Sequence, residues 1–217
     1  MKRILSLTAT AAVVFTTAAS AQLLNFPVSV NPAMGRGVAV AALFGTSLND
    51  ASKNLSLESI TSYGAGARLG LGVINIAAGA VTGIELVSGG DKKTSFGANA
   101  EFRAIKGGML NASIFAGLGS TGDVGTRIPL GIGLAVAPPG GIFSIWAAPY
   151  YQIFTPNSSV CSDCTEKDFG VSGGVRLGMP MGIGVGVSLD WVNRADSDGG
   201  APIVLGIAAG WTFGIGG

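Results

Sequence analysis

Alternation of apolar residues with small or polar ones, sustained over roughly nine to eleven positions, recurs along most of this chain and admits few folds. From Ser95 onward, Phe96, Ala98, Ala100, Phe102 and Ala104 share one face, while Ser95, Gly97, Asn99, Glu101 and Arg103 share the other. Leu110, Ala112, Ile114, Ala116 and Leu118 then oppose Asn111, Ser113, Phe115, Gly117 and Gly119. Ile128, Leu130, Ile132, Leu134 and Val136 oppose Arg127, Pro129, Gly131, Gly133 and Ala135. Ile183, Val185, Val187, Leu189 and Trp191 oppose Gly184, Gly186, Ser188 and Asp190. Successive side chains of a strand point to opposite faces, so a period of two held this long is the pattern of a strand crossing a membrane. A soluble helical domain fits badly, because 36 of 217 residues are glycine and each interior glycine costs a helix about 1 kcal/mol relative to alanine. At 48% hydrophobic and 12% charged residues, the chain is also far from a disordered composition.

Ten such runs predict strands at about 35–45, 62–72, 75–85, 95–105, 109–119, 126–137, 142–154, 169–179, 183–193 and 203–215. The connections alternate in length. Lys106-Gly107-Gly108, Pro138-Pro139-Gly140-Gly141 and Pro180-Met181-Gly182 are short, with glycine where a turn needs positive φ. The stretches 46–61, 86–94, 120–125, 155–168 and 194–202 are longer and polar. Short periplasmic turns and longer outside loops are the plan of outer-membrane barrels. The predicted fold is therefore all-β, an antiparallel up-and-down transmembrane β-barrel of ten strands. Eight is the next choice, because Val73, Ile74 and Asn75 must turn without a well-placed glycine.

The first residues read as a targeting segment. Lys2 and Arg3 precede an uncharged apolar stretch from Ile4 to Thr17, and Ala19-Ser20-Ala21 is a small-residue cleavage site. The expected organisation is a cleaved signal peptide at 1–21, a short periplasmic segment at 22–34 and the barrel at 35–217. Cleavage removes Lys2 and Arg3 and takes the formal charge from +1 to −1. No basic patch is left for a nucleic-acid partner. Ile128 to Ser162 and Leu69 to Ile84 are uncharged, but Pro138-Pro139-Gly140-Gly141 and the glycines at 70, 72, 79 and 83 make both hairpins rather than helical spans.

The aromatic residues decide which face meets lipid. Phe44, Tyr63, Phe96, Tyr151, Phe169 and Trp191 fall near the outer ends of the apolar face, and Phe102, Phe143, Trp211 and Phe213 near its periplasmic ends. Two aromatic belts around an aliphatic band fit a lipid-facing exterior. A soluble core would scatter its aromatics.

On these features the chain resembles the outer-membrane β-barrel families of Gram-negative bacteria, over roughly residues 34 to 215. The most specific element is the last strand, where Gly210, Trp211, Phe213 and Ile215 are similar to the families' assembly signal. The match departs at Ala208, where a polar residue is usual, and in the trailing Gly216-Gly217. The resemblance implies an outer-membrane location, contact with lipid and lipopolysaccharide, and recognition by the barrel-assembly machinery. The loops are where an extracellular ligand would bind.

Enzyme motifs have weak support. Gly170-Val171-Ser172-Gly173-Gly174 matches G-x-S-x-G, but that motif needs a strand-to-helix turn and a histidine, and the chain has no histidine. The same absence separates it from outer-membrane proteases, palmitoyltransferases and deacylases. Gly117 to Gly122 has dinucleotide-fingerprint spacing, yet a loop and a strand follow instead of a helix. Cys161 and Cys164 lack further zinc ligands and read as a small loop disulfide in an oxidising compartment. Asp163, Glu166, Asp168, Asp196 and Asp198 read as solvated loop charge rather than a calcium or lipopolysaccharide bridge. The expectation is a non-enzymatic protein with no cofactor, metal or catalytic residue.

Function then falls to the inward charges Arg68, Glu85, Glu101, Arg103, Arg127, Arg176 and Asp190. Charges at membrane depth persist where they face water or partners. With Trp146 and Tyr150 they either plug a narrow, hydrated lumen or line a passage. A structural or surface-interaction barrel is the first expectation, and a porin-like channel for small solutes is the alternative. Whether the arginines find carboxylate partners separates the two.

Overall fold

The computed structural model describes residues 20–23, 26–29, 36–48, 61–85, 91–122, 124–138, 142–157, 165–178, 182–193, 201 and 203–213. Two short strands come first, β1 (Ser20–Leu23) and β2 (Phe26–Ser29). The wall follows: β3 (Gly37–Ser47), β4 (Thr61–Gly70), β5 (Ile74–Glu85), β6 (Lys92–Gly107), β7 (Leu110–Thr121), β8 (Gly125–Val136), β9 (Phe143–Pro156), β10 (Glu166–Gly178), β11 (Ile183–Asn193) and β12 (Ile203–Phe213). Each wall strand pairs antiparallel with the next, and β12 returns to β3, with Gly210 opposite Ala41, to close a ten-strand barrel. Closure removes every sheet edge, which is the condition for strands to cross a bilayer. An 11-residue strand such as β11, rising about 3.3 Å per residue and tilted about 40°, spans about 28 Å, close to the hydrocarbon thickness.

The outward face is apolar across the middle of the wall, with polar residues such as Lys167 and Asn193 exposed only toward the loop end. Ile114 and Ile132 are register partners, each more than half exposed, and their neighbours Leu118, Leu130, Leu134 and Ile145 are similarly bare. A continuous apolar surface of this kind is stable only against lipid. All ten belt aromatics lie on it, among them Phe44 opposite Tyr63 and Tyr151 opposite Phe169. Phe169 meets Trp191 edge to face at 6.5 Å, and Trp211 stacks on Phe213 at 5.8 Å.

Two turns differ from their sequence reading. Strand β4 ends at Gly70, and the chain reverses through Leu71-Gly72-Val73, with Gly72 at φ 98° and Leu71 N–H donating to Ile74 O at 2.8 Å. Gly72 is thus the glycine this hairpin needed, and the count of ten holds. At the next hairpin a three-residue turn was expected at Lys106-Gly107-Gly108. Gly107 instead pairs with Leu110 around Gly108-Met109, and β6 takes a bulge at Ala104. The bulge leaves Ala104 and Ile105 both outward and sets Arg103 opposite Ser113, not Asn111, and Glu101 opposite Phe115, not Ser113. The two changes shift the register by an even number, so the inward face is kept. The register that a three-residue Pro180-Met181-Gly182 turn implies, with Arg176 opposite Gly186 and Ser172 opposite Asp190, holds between β10 and β11.

The β1–β2 hairpin pairs Ser20 with Ser29 and Leu23 with Phe26. β1 lies against β10, β11 and β12, and β2 against β5, β6 and β7. Those two arcs stand on opposite sides of the ring, so the hairpin bridges the barrel from wall to wall. β1 straddles the expected cleavage point after Ala21.

Candidate functional site

The interior is built from the second face of every wall strand. One arc, Ala41 and Leu43 on β3, Val81 on β5 and Ala208 on β12, is a small apolar cluster. The remainder mixes polar and charged side chains with aromatic and small apolar ones, and its large side chains fall into three levels between the turn end, where β3 begins, and the loop end.

At the turn end the buried, described residues include three arginines and one carboxylate. Arg68, the third residue from the end of β4, donates from Nη2 to Glu101 Oε2 at 2.5 Å. Asn75 Nδ2 donates to the same oxygen at 3.3 Å, and Ser113 Oγ donates to Oε1 at 2.6 Å. Glu101 is 1% exposed and Arg68 2%. Arg103, two residues further along β6, is within electrostatic reach of Glu101 and Arg68. Its Nε and Nη2 have no hydrogen-bond partner among the described residues. Arg176, third from the end of β10, is buried opposite Ser144 and Gly186 and feels the charge of Arg68.

The middle level is aromatic: Phe115, Trp146 and Tyr150 are all buried inward. Each faces glycine on a neighbouring strand, Phe115 opposite Gly131, Trp146 opposite Gly174, and Tyr150 opposite both Gly131 and Gly170. Trp146 Nε1 and the Tyr150 hydroxyl are buried without a hydrogen-bond partner among the described residues. At the loop end, Gln152 Nε2 donates to Asp168 Oδ2 at 2.9 Å, and Arg127 stacks over Phe154 at 4.7 Å. Between the levels of Trp146 and Tyr150, Asp190 is buried as the fourth residue from the end of β11, opposite Ser172 and within electrostatic reach of Tyr150.

The sequence-predicted charges therefore face one interior in Arg68, Glu101, Arg103, Arg176 and Asp190, with Arg127 half-buried at the loop end. Glu85 pairs with Lys92 in the register, but its side chain lies outside the described residues, as do Cys161, Cys164 and Ile215. Asp168 corrects its reading as solvated loop charge: β10 begins at Glu166, which brings Asp168 inside at 4% exposure, against Gln152. Ser172 of the G-x-S-x-G match is a buried residue of β10, and the Gly117–Gly122 match runs off β7 into the turn before β8. Neither precedes a helix. Sequence reasoning missed the small polar lining of Asn75, Ser144 and Gln152, which carries no signal beyond its place on the inward face.

A closed barrel with an apolar, aromatic-belted exterior and a polar interior is an outer-membrane β-barrel, standing in lipid and lipopolysaccharide. No protein-family model matches the chain, and no curated protein matches it in sequence. Among solved structures, LpxR from Salmonella typhimurium is similar with a TM-score of 0.50 at 9% identity, over 82% of this chain and 100% of that one. A bacterial polysaccharide outer membrane secretin has a TM-score of 0.45 at 10% identity, over 82% of this chain and 65% of that one. OmpT with loop L8 deleted, an outer membrane protein of Vibrio cholerae, has a TM-score of 0.34 at 12% identity, over 71% of this chain and 54% of that one. At such identities the likeness concerns the fold alone.

That likeness corrects one expectation. The sequence reading took the chain for a protein that is not an enzyme. LpxR is an outer-membrane enzyme on a barrel of similar fold, so the exclusion is withdrawn. Chemistry resides in sites grafted onto folds, and the lack of histidine rules out only mechanisms that need it.

Proposed function

We propose that this barrel is a narrow outer-membrane conduit for small polar solutes, with a hydrated, charge-lined lumen restricted at mid-height by Phe115, Trp146 and Tyr150. One observation carries the reading: the turn-end half of the lumen holds three arginines around a single carboxylate, and buried Arg103 keeps Nε and Nη2 without a hydrogen-bond partner among the described residues. A purely structural plug would neutralise its charges, since an uncompensated buried charge costs several kcal/mol. A wet lumen removes that penalty and leaves a field that selects solutes. The test is conductance of the purified full chain in a planar bilayer. Small channels that favour anions, and that widen in Trp146→Ala and Tyr150→Ala, are expected. A silent bilayer from correctly folded protein would remove the reading.

A second reading, a structural or surface-interaction barrel whose loops bind an extracellular ligand, draws on the β1–β2 hairpin that bridges the wall. Under either reading the leader 1–21 is removed on export, and the barrel-assembly machinery reads the end of β12. Trp211 and Phe213 support that role by standing outward as one stacked pair beside Gly210. Loss of assembly in a Phe213→Ser variant, followed by heat-modifiable mobility of the membrane fraction, tests it.

A further inference from the structure

We propose that the turn-end half of the lumen is a binding site for a small oxyanion, held by Arg103 and Arg176 beside the Arg68–Glu101 pair. The inference rests on the hydrated lumen of the reading above, but not on conduction. Arg68 and Arg176 are each third from the turn end of their strands, β4 and β10. Those strands stand four places apart round a ring of ten, so the two guanidinium groups approach from well-separated parts of the wall. They are nevertheless within electrostatic reach of each other, and Arg103 is within reach of Arg68. Arg68 is thus within reach of both other guanidinium groups, a gathering of like charge that a bound anion would relieve.

Glu101 supplies one negative charge, and its two oxygens are already engaged by Arg68, Asn75 and Ser113. The other buried acids among the described residues, Asp168 and Asp190, lie toward the loop end, and Asp168 is held by Gln152. Arg103, 4% exposed, thus keeps Nε and Nη2 without a protein acceptor among the described residues. Those two nitrogens are one edge of the guanidinium fork, whose geometry matches two oxygens of a carboxylate or phosphate. Across the lumen, Ser144 Oγ lies opposite Arg176 in the register, also buried and without a partner among the described residues. The open edge of Arg103 and this hydroxyl, in a part of the lumen where Arg68 and Arg176 add positive charge, form a cradle for an oxyanion. A sphere of one charge such as chloride would use the field but not the fork.

The test is calorimetric titration of the detergent-folded full chain with inorganic phosphate, and separately with acetate, at constant ionic strength set by sodium chloride. Saturable binding of at least one oxyanion is expected. Arg103→Gln and Arg176→Gln should each weaken it by about tenfold or more, the size expected for losing a hydrogen bond to a charged group. Arg127→Gln, at the loop end, should leave it unchanged. Folding of each variant is checked by heat-modifiable mobility, and either arginine variant suffices if the other fails to fold. No saturable binding of either oxyanion, or unchanged affinity in a folded arginine variant, would overturn the site. Binding without bilayer conductance keeps the site and removes the conduit. Conductance without oxyanion binding does the reverse.

Discussion

Tyr150 covers the backbone of Gly170, its register partner on the next strand: a β-carbon added at Gly170 would run into the ring at Cζ and the hydroxyl. Phe115 covers Gly131 in the same way at 2.6 Å, whereas at Gly174 the backbone carbonyl of Val187 is the nearest obstacle and the Trp146 indole, at 3.1 Å, comes after it. Inward glycines of β8 and β10 are thus receptacles for rings from neighbouring strands. This accounts for part of the glycine content without appeal to flexibility. Gly170→Ala should destabilise the barrel by about 1–3 kcal/mol through overpacking, read as a shift in urea unfolding from lipid vesicles. In a Tyr150→Ala background the same change should cost far less. Gly66→Ala, whose nearest contacts are 3.4 Å away, is the matched control. Equal losses at 66 and 170 would show that ring contact is not what constrains glycine there.

Alternation made the wall legible because the bilayer enforces it: every lipid-facing position must be apolar, and closure makes the other face interior. The Pro180-Met181-Gly182 turn gave the β10–β11 register directly, since Gly182 takes φ 90°. The β6–β7 register was not legible. A bulge at Ala104 leaves no compositional mark, and two glycines in Lys106-Gly107-Gly108 allow more than one turn. Asp168 was misplaced because the charged start of β10 looks like loop; only its pairing with Gln152 across the sheet shows that the strand reaches so far. The arginine level was legible residue by residue. Its grouping was not, because β4, β6 and β10 are not neighbours and face one lumen only once the barrel closes.

The outward assignment of Ile132 has a direct test. Ile132→Arg should cost about 2–4 kcal/mol if the position lies near the bilayer midplane, whereas Ile142→Arg, just before β9 at the turn end, should cost about 0–1 kcal/mol. Refolding into vesicles of fixed thickness measures both. Indifference at Ile132, which is 51% exposed, would place that face away from lipid.

Orientation follows from connection length, the longer connections being the outside ones in barrels of this kind. In a Cys161→Ser, Cys164→Ser background, a membrane-impermeant thiol reagent on whole cells should label Glu166→Cys and miss Met109→Cys. Both positions are exposed, at opposite ends of the wall. The reverse pattern would invert the barrel.

Glu101 organises the turn-end charges, so removing its charge should be costly. Glu101→Gln keeps the shape but places an amide N–H against one of the donors Arg68, Asn75 or Ser113 and leaves three arginines without their carboxylate. Breaking a buried pair from one side costs about 3–5 kcal/mol. The loss should persist in high salt, because counterions screen buried groups poorly. Removing the cation as well reverses the argument: Arg68→Gln with Glu101→Gln should recover part of the loss, since two neutral amides can bond to each other and, among the buried described residues there, Arg103 and Arg176 remain charged. The unfolding midpoints of the two single variants and the double variant give the coupling energy. A coupling within about 0.5 kcal/mol of zero, the range in which independent sites simply add, would mean that Arg68 and Glu101 are neighbours without being partners.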